Sequence, residues 1–123
     1  MNEKERDPAL PWADLLDSLG TGLVVLGPDR RVVLWNDWMS TASGVAAAQA
    51  RGLTLEEIFP ELANSRLPEA LGDTLAAGVS SMLTYGLNPH LFPLKTRAGR
   101  PLLHNVLLNP IGGEAPGLSL IHI

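Results

Sequence analysis

Histidine is the residue type in this chain whose chemistry works near neutral pH, and its three copies are His90, His104 and His122. An unperturbed imidazole titrates at about pH 6.5, so it can move a proton or hydrogen-bond a ligand under physiological conditions. His104 lies in the apolar run from Pro101 to Asn109. In a strand, alternation places one set of these residues on a shared face: Leu102, His104, Val106 and Leu108.

Two interpretations of His104 follow from its position among aliphatic residues. Binding pockets combine apolar walls with a few polar anchors, so the imidazole is a candidate ligand contact. A histidine on an apolar strand is also commonly a core residue that hydrogen-bonds to a neighbour. His90 follows the turn-forming Asn88-Pro89 and is expected to face solvent, whereas the pattern does not fix the facing of His122.

The carboxylates that stand close together occupy ordinary structural positions. Thr54-Leu55-Glu56-Glu57 matches a capping box, in which a threonine hydroxyl and a glutamate carboxylate satisfy free backbone N–H groups. Asp14 and Asp17 fall on the polar side of an amphipathic helix. The sequence also shows neither a nucleophile beside a base nor a glycine-rich phosphate loop. We therefore expect no catalytic residues in this module, although a longer parent protein could carry a catalytic domain.

Composition and charge argue against metal ions, nucleic acid and membranes as binding partners of this chain. The three histidines are scattered without a paired carboxylate at ligand spacing, so no metal site is expected. A net charge of −4 and dispersed Lys and Arg argue against nucleic acid. No apolar run approaches the roughly 20 residues that span a bilayer, and the start MNEKERDPAL is charged rather than signal-like. We expect a cytoplasmic protein without a membrane segment.

The N-terminal part is predicted to be a flexible segment, residues 1–9, followed by an amphipathic helix within residues 10–20. Pro11 suits a first helical position and Gly20 suits the position after the last. The apolar residues recur at helical spacing: Trp12, Leu15, Leu16 and Leu19. This helix can pack on its own sheet or on a second copy, and we take it as the candidate dimer helix.

Residues 21–123 are predicted to form one domain that begins with a hairpin. The apolar runs 23–26 and 32–35 are of strand length and are joined by the turn formers Gly27-Pro28-Asp29. A short helix is expected from about Asp37 to Ser43, ended by Gly44, while the local structure of 45–51 is not fixed by its pattern. The longest helix is predicted from near Ser65 to Gly78.

The remaining sequence reads as strands separated by turns. The strand-like runs are Val79–Tyr85, Leu91–Thr96, Pro101–Asn109 and Leu118–Ile123. Strands joined by tight turns pair antiparallel, and the helices inserted after the second strand must cover one face of the sheet. The predicted fold class is α+β.

Taken together, the order and spacing of these segments resemble a PAS domain from about Leu15 to Ile123. No single motif is specific, since each is short and mostly hydrophobic. The residues that carry the resemblance are Gly22–Leu26 with the Pro28-Asp29 turn, Val32–Asn36, Gly44, Arg51–Pro60 and Asn109-Pro110-Ile111. The resemblance implies a five-stranded antiparallel sheet whose covering helices enclose a pocket. It also implies a sensory and dimerisation module of a bacterial signalling protein.

The resemblance further implies where a ligand would lie. The segment 95–110 is similar in spacing to the flavin-binding PAS subclass, which points His104 into the pocket. The candidate pocket residues are His104, Val106, Leu108, Phe92, Leu94, Leu71 and Leu75. A covalent flavin photoadduct is excluded because the chain has no cysteine, and haem is not expected because residues 65–78 contain no histidine. A small apolar or amphipathic metabolite, or no ligand, remains.

Two hypotheses about function therefore follow from the sequence. In the first, the module binds a small molecule in its core, dimerises, or does both, and regulates a downstream domain of the same polypeptide such as a histidine kinase or a diguanylate cyclase. In the alternative, it is a ligand-free dimerisation or protein-interaction module. PAS domains usually follow their last strand with an Asp-hydrophobic-Thr signal and a linker helix, and neither follows Leu118–Ile123. We expect the chain to be a module of a longer two-component signalling protein.

Overall fold

The predicted hairpin forms in the computed structural model, which describes residues 14–15, 18–88, 90–111 and 117–123. Strands β1 (Leu23–Leu26) and β2 (Val32–Trp35) pair antiparallel, with a register shift between Val25 and Leu26. In the connecting turn Arg30 adopts a positive φ of 66°. The turn therefore folds back within a few residues and brings both apolar runs into one sheet.

Five short helical segments follow β2, and several of them begin or end at the capping residues predicted from the sequence. They are α1 (Asp37–Ser43), α2 (Ala47–Ala50), α3 (Leu55–Ile58), a 3₁₀ helix (Pro60–Asn64) and α4 (Leu67–Ala77). Gly44 and Gly78 end α1 and α4 in the left-handed conformation, where glycine has no Cβ to clash. The predicted capping box opens α3: Glu57 N donates to Thr54 Oγ1 at 3.2 Å, and Thr54 N donates to Glu57 Oε1 at 3.0 Å. Helix α2 lies within residues 45–51, the segment whose local structure the sequence pattern left open.

Asn36 joins the hairpin to the first helix. Its Oδ1 accepts from Met39 N at 3.1 Å and from Leu23 N at 3.2 Å, while its Nδ2 donates to Thr21 O at 2.8 Å. The side chain therefore caps α1 and at the same time ties β1 to the start of that helix. An asparagine at this position fixes where the helical layer leaves the sheet.

The sheet has five antiparallel strands in the order β2-β1-β5-β4-β3. Strands β3 (Ser81–Leu83), β4 (Val106–Ile111) and β5 (Leu118–His122) complete it. The final strand lies at the centre, between β1 and β4, so it pairs with the first strand of the chain. This architecture confirms the predicted α+β fold with short helices over one face.

Three of the predicted strands are wrong in their extent. The strand predicted over Val79–Tyr85 is confined to Ser81–Leu83. Leu91–Thr96 is not a strand and takes part only in the isolated bridge between Lys95 and Pro101, and the strand predicted from Pro101 begins at Val106. Pro93 and Pro101 lack the N–H that a continuous ladder needs. The backbone of this segment bonds elsewhere, since Lys95 N donates to Ala42 O at 2.9 Å and Phe92 N donates to a side chain.

The core lies between the helices and the inner face of the sheet. Helix α4 buries residues at helical spacing, and the inner positions of β1, β4 and β5 meet them in a single cluster. Among the residues that the structure describes, no helix is both long and apolar enough to cross a membrane.

Little of the predicted N-terminal helix belongs to the described residues. Asp14 and Leu15 are helical, and residues 18–20 form a turn that leads into β1. Leu15 is 42% exposed and Leu19 is 58% exposed. Trp12, Leu16 and the segment 1–9 lie outside the described residues, so the dimer helix and the flexible start stay predictions.

Candidate functional site

His104 lies just before β4 and is buried in the core, the direction that the resemblance to PAS domains implied, and both of its ring nitrogens have protein partners. Nε2 accepts from Phe92 N at 3.1 Å, and Nδ1 lies 2.8 Å from Leu102 O. Since a backbone N–H can only donate, Nε2 must be unprotonated, which leaves the proton on Nδ1 for the Leu102 carbonyl. The geometry therefore selects one neutral tautomer.

Burial also opposes protonation of His104. Desolvation lowers the pKa of this imidazole below its ordinary value, and the charge of His90 lowers it further, against the hydrogen bond to Leu102, which raises it. A proton added at Nε2 would remove the acceptor of the Phe92 N–H group. His104 thus holds the segment before β4 in place by an interaction that requires the neutral ring.

The other candidate pocket residues are brought together in the same core. Phe92, Leu94, Val106, Leu108 and Leu71 are buried, and Leu75 is partly buried against them. The buried ones belong to one hydrophobic cluster, and Leu75 packs against that cluster. Ligand contact by any of them stays a prediction.

Four rings form a chain through this core. The ring centroids of Trp35 and Phe59 are 6.1 Å apart, those of Phe59 and Phe92 are 5.9 Å apart in an edge arrangement, and those of Phe92 and His104 are 6.0 Å apart and stacked. Such ring pairs contribute beyond the area they bury. The chain connects β2, the start of the 3₁₀ helix, the loop before β4 and His104.

Ser119 is an inward-facing polar residue that the sequence reasoning did not select. It is fully buried on β5, and its Oγ has no hydrogen-bond partner among the residues that the structure describes. A buried hydroxyl without a partner costs about 1–3 kcal/mol. The alternation of Leu118–Ile123 places Ser119 on the same face as the buried Ile121, so the signal was present in the pattern.

The outer face of the sheet is apolar and partly open. Within the five described strands there is no Asp, Glu, Lys or Arg. Residues that lie opposite each other on adjacent strands form this face: Val25 is opposite Leu34 and Leu120, and Leu107 is opposite Met82. Met82 is 56% exposed. The outer face is defined here by Leu34, Val25, Leu120, Leu23, Leu107, Met82 and His122, and the amide of Asn109 lies opposite Leu120 on the same face.

The other titratable side chains considered in the sequence, those of His122, His90 and Glu57, lie in different parts of the structure. His122 is partly exposed on the outer face, opposite Leu23 and Leu107, and His90 is exposed in a loop. A hydrogen bond from the Thr54 backbone is the main cause that lowers the pKa of Glu57, whose carboxylate serves the α3 capping box. Within the described ranges, no three His, Asp or Glu side chains are grouped so as to hold a metal ion.

Comparison with known proteins agrees with this architecture. A family model described as PAS fold matches residues 16–114. A sensory box sensor histidine kinase from Vibrio cholerae is 23% identical with a TM-score of 0.68, over 90% of this chain and 85% of that one. The PAS domain of nitrogen regulation protein NR(II) from Vibrio parahaemolyticus is 16% identical with a TM-score of 0.61, over 93% and 96% of the two chains.

A third solved structure shares the fold over part of its length. The Rhodobacter sphaeroides LOV protein is 19% identical with a TM-score of 0.65, and the match covers 89% of this chain but 61% of that chain. No curated protein sequence matches the chain closely enough to count as a relative. The family match over residues 16–114 and the five-stranded sheet with its helical cover together show that this chain belongs to the PAS fold family.

Proposed function

We propose that this PAS domain is a signalling module that pairs with a second copy of itself and thereby controls an output domain of the same polypeptide. The observation that carries this proposal is the outer face, whose apolar side chains are uncharged and partly open. Exposed apolar patches of this kind are typical of interaction surfaces. A histidine kinase is the output that the comparisons support best, since the Vibrio cholerae neighbour is a sensor histidine kinase.

A second copy is the partner that suits this face best. Each chain carries a net charge of −4, so two copies repel each other at most orientations. The outer face contributes no fixed charge to that repulsion, because its strands contain none. A symmetric pair would bury the same patch twice. The N-terminal residues Trp12, Leu15, Leu16 and Leu19 are proposed to extend this interface as an apolar helix face.

Substituting the centre of the outer face tests this pairing. We expect wild-type protein to sediment as a dimer and Leu120→Arg to weaken dimerisation about 100-fold or more, because an unpaired charge would be buried in the interface. Leu87→Arg is the matched control, since Leu87 is 79% exposed in the turn that follows β3 and is not one of the outer-face residues. Its dimer should be retained.

Two further measurements are needed to interpret the sedimentation result. Circular dichroism must show that Leu120→Arg is folded, and Leu15→Glu with Leu16→Glu then reports whether the N-terminal helix contributes to the same interface. A wild-type chain that sediments as a monomer at the highest attainable concentration contradicts the proposal. Equal dimerisation by wild type and folded Leu120→Arg moves the interface away from the sheet.

The unpartnered hydroxyl of Ser119 supports a second function, binding of a small molecule in the core. A ligand with a polar atom beside an apolar body would satisfy this group and lie against the same inner face as Val106 and Leu108. Such a ligand would shift the equilibrium between two states of the module if it bound one state more tightly than the other. His104 can take part only by giving up one of its present hydrogen bonds.

Native mass spectrometry of freshly purified protein tests this second function. We expect a non-covalent adduct that is lost on denaturation and whose occupancy falls in Ser119→Ala, because that variant lacks the only hydroxyl proposed to bond it. Ser80→Ala is the control, since Ser80 is exposed. A bare protein, or an adduct equally abundant in Ser119→Ala, excludes a core ligand held by Ser119.

A further inference from the structure

A groove of about 770 Å³ lies outside the core, between α1, the turn at residues 18–20 and the loop before β4. Its volume falls in the range of small-molecule sites, roughly 300–1,000 Å³. The side chains that matter for its chemistry are Trp38, Thr41, Ala42, Lys95, Arg97 and Leu102. The groove therefore combines an indole, two small or aliphatic residues, a hydroxyl and two cations.

One wall of the groove is a tight hairpin with a concentrated positive charge. Thr96 N donates to Arg100 O at 2.8 Å, and Gly99 closes the turn with a φ of 81°. Lys95 and Arg97 line the groove from this hairpin. Asp37 also lines it, so two cations face one carboxylate, a local charge of +1 in a chain whose net charge is −4.

The opposite wall is α1, and backbone hydrogen bonds join the two walls. Lys95 N donates to Ala42 O at 2.9 Å, which fixes the hairpin against the end of α1. Leu102 N donates to Leu94 O at 2.9 Å and closes the base of the hairpin. Since main-chain atoms make these bonds, the side chains of Lys95 and Arg97 can be replaced without removing them.

We propose that this groove binds a compact aromatic carboxylate. An aromatic ring finds apolar and aromatic surface at Trp38 and Leu102, and aromatic pairs are favourable beyond their buried area. A carboxylate attached to that ring finds the ammonium of Lys95 and the guanidinium of Arg97, which form charge-assisted hydrogen bonds with such groups. The positive lining in an otherwise acidic protein gives the charge complementarity for this class of ligand. The site does not depend on pairing of two copies or on a ligand in the core.

Amide chemical shifts recorded during titration with phenylacetate test the proposal on the full chain. We expect shifts in the backbone signals of Trp38, Thr96 and Arg97, because these residues surround the groove. Lys95→Gln with Arg97→Gln should weaken phenylacetate binding about three- to tenfold, as the loss of two largely exposed ion pairs implies. Raising the salt concentration should weaken binding to the wild type more than to this double variant.

Two controls separate a specific site from general attraction. Arg100→Gln removes a cation from the same hairpin that does not line the groove, and it should change affinity less than twofold. Phenylacetamide has the same ring without the charge and should bind more weakly than phenylacetate. No shifts with phenylacetate, equal binding of phenylacetamide, or an equal loss in Arg100→Gln each overturn the proposal. Shifts confined to the core around Ser119 would place the ligand elsewhere and overturn it as well.

Discussion

Replacing Phe92 with alanine is expected to lower the free energy of unfolding by about 3–5 kcal/mol. The side chain is fully buried, and its ring lies between those of Phe59 and His104, at centroid distances of 5.9 and 6.0 Å. Truncation removes both ring pairs and leaves a cavity that the surrounding helices and strands can fill only in part. Urea unfolding followed by circular dichroism measures the change.

Leu87→Ala is the control for Phe92→Ala. Leu87 is 79% exposed, so its truncation should change stability by no more than about 0.5 kcal/mol. A loss below about 1 kcal/mol in Phe92→Ala would falsify the central position of this ring in the core. Phe92→Leu should fall between wild type and Phe92→Ala, because it preserves part of the buried volume.

His104→Ala is expected to cost about 2–4 kcal/mol of unfolding free energy. The substitution leaves the Phe92 N–H and the Leu102 carbonyl without their present partners and removes the ring stacked on Phe92. Thermal or urea unfolding measures the loss. A stability equal to that of wild type would show that neither hydrogen bond contributes to the fold.

The same residue should make stability depend on pH. The pKa of His104 is lowered on folding, from an ordinary value of about 6.5, chiefly because burial penalises the charged ring. Between the folded pKa and the unfolded one, the unfolded chain therefore binds more protons at this site. The contribution of His104 is fully present above about pH 6.5 and is lost as the pH falls through that window toward the folded pKa.

His104→Gln isolates this pH dependence. Glutamine carries an acceptor and a donor but does not titrate, so the difference in stability between wild type and variant should shrink as the pH is lowered from neutral. Comparing the two proteins cancels the contributions of titratable groups that do not interact with His104. A difference that is constant with pH would show that the pKa of His104 is the same in the folded and unfolded states.

Short-range sequence signals predicted the local structure correctly. The turn formers between two apolar runs predicted the hairpin, and the threonine and glutamate of the capping box predicted the start of α3. Strand alternation grouped His104, Val106 and Leu108 on one face, and the resemblance to PAS domains pointed that face inward, where all three are buried. Each of these signals acts between residues a few positions apart, and backbone geometry alone therefore determines its effect.

The segment 91–105 was harder to predict because its hydrogen bonds are non-local. Its apolar composition is typical of two strands, but Phe92 bonds to His104 and Lys95 bonds to the end of α1. The prolines at 93 and 101 were the available warning, since they interrupt any ladder. The predicted strands were therefore wrong where tertiary partners replaced sheet partners.

The sequence by itself determined the α+β class, the family and which residues share a face of β4, because apolar periodicity and turn chemistry are written in consecutive residues. Only the tertiary structure decided that both nitrogens of His104 are occupied, that the hydroxyl of Ser119 has no partner, and that Trp38 and Arg97 share a groove. These outcomes depend on which distant segments meet. Contacts between such segments are set by the collective burial of the core and not by any local pattern.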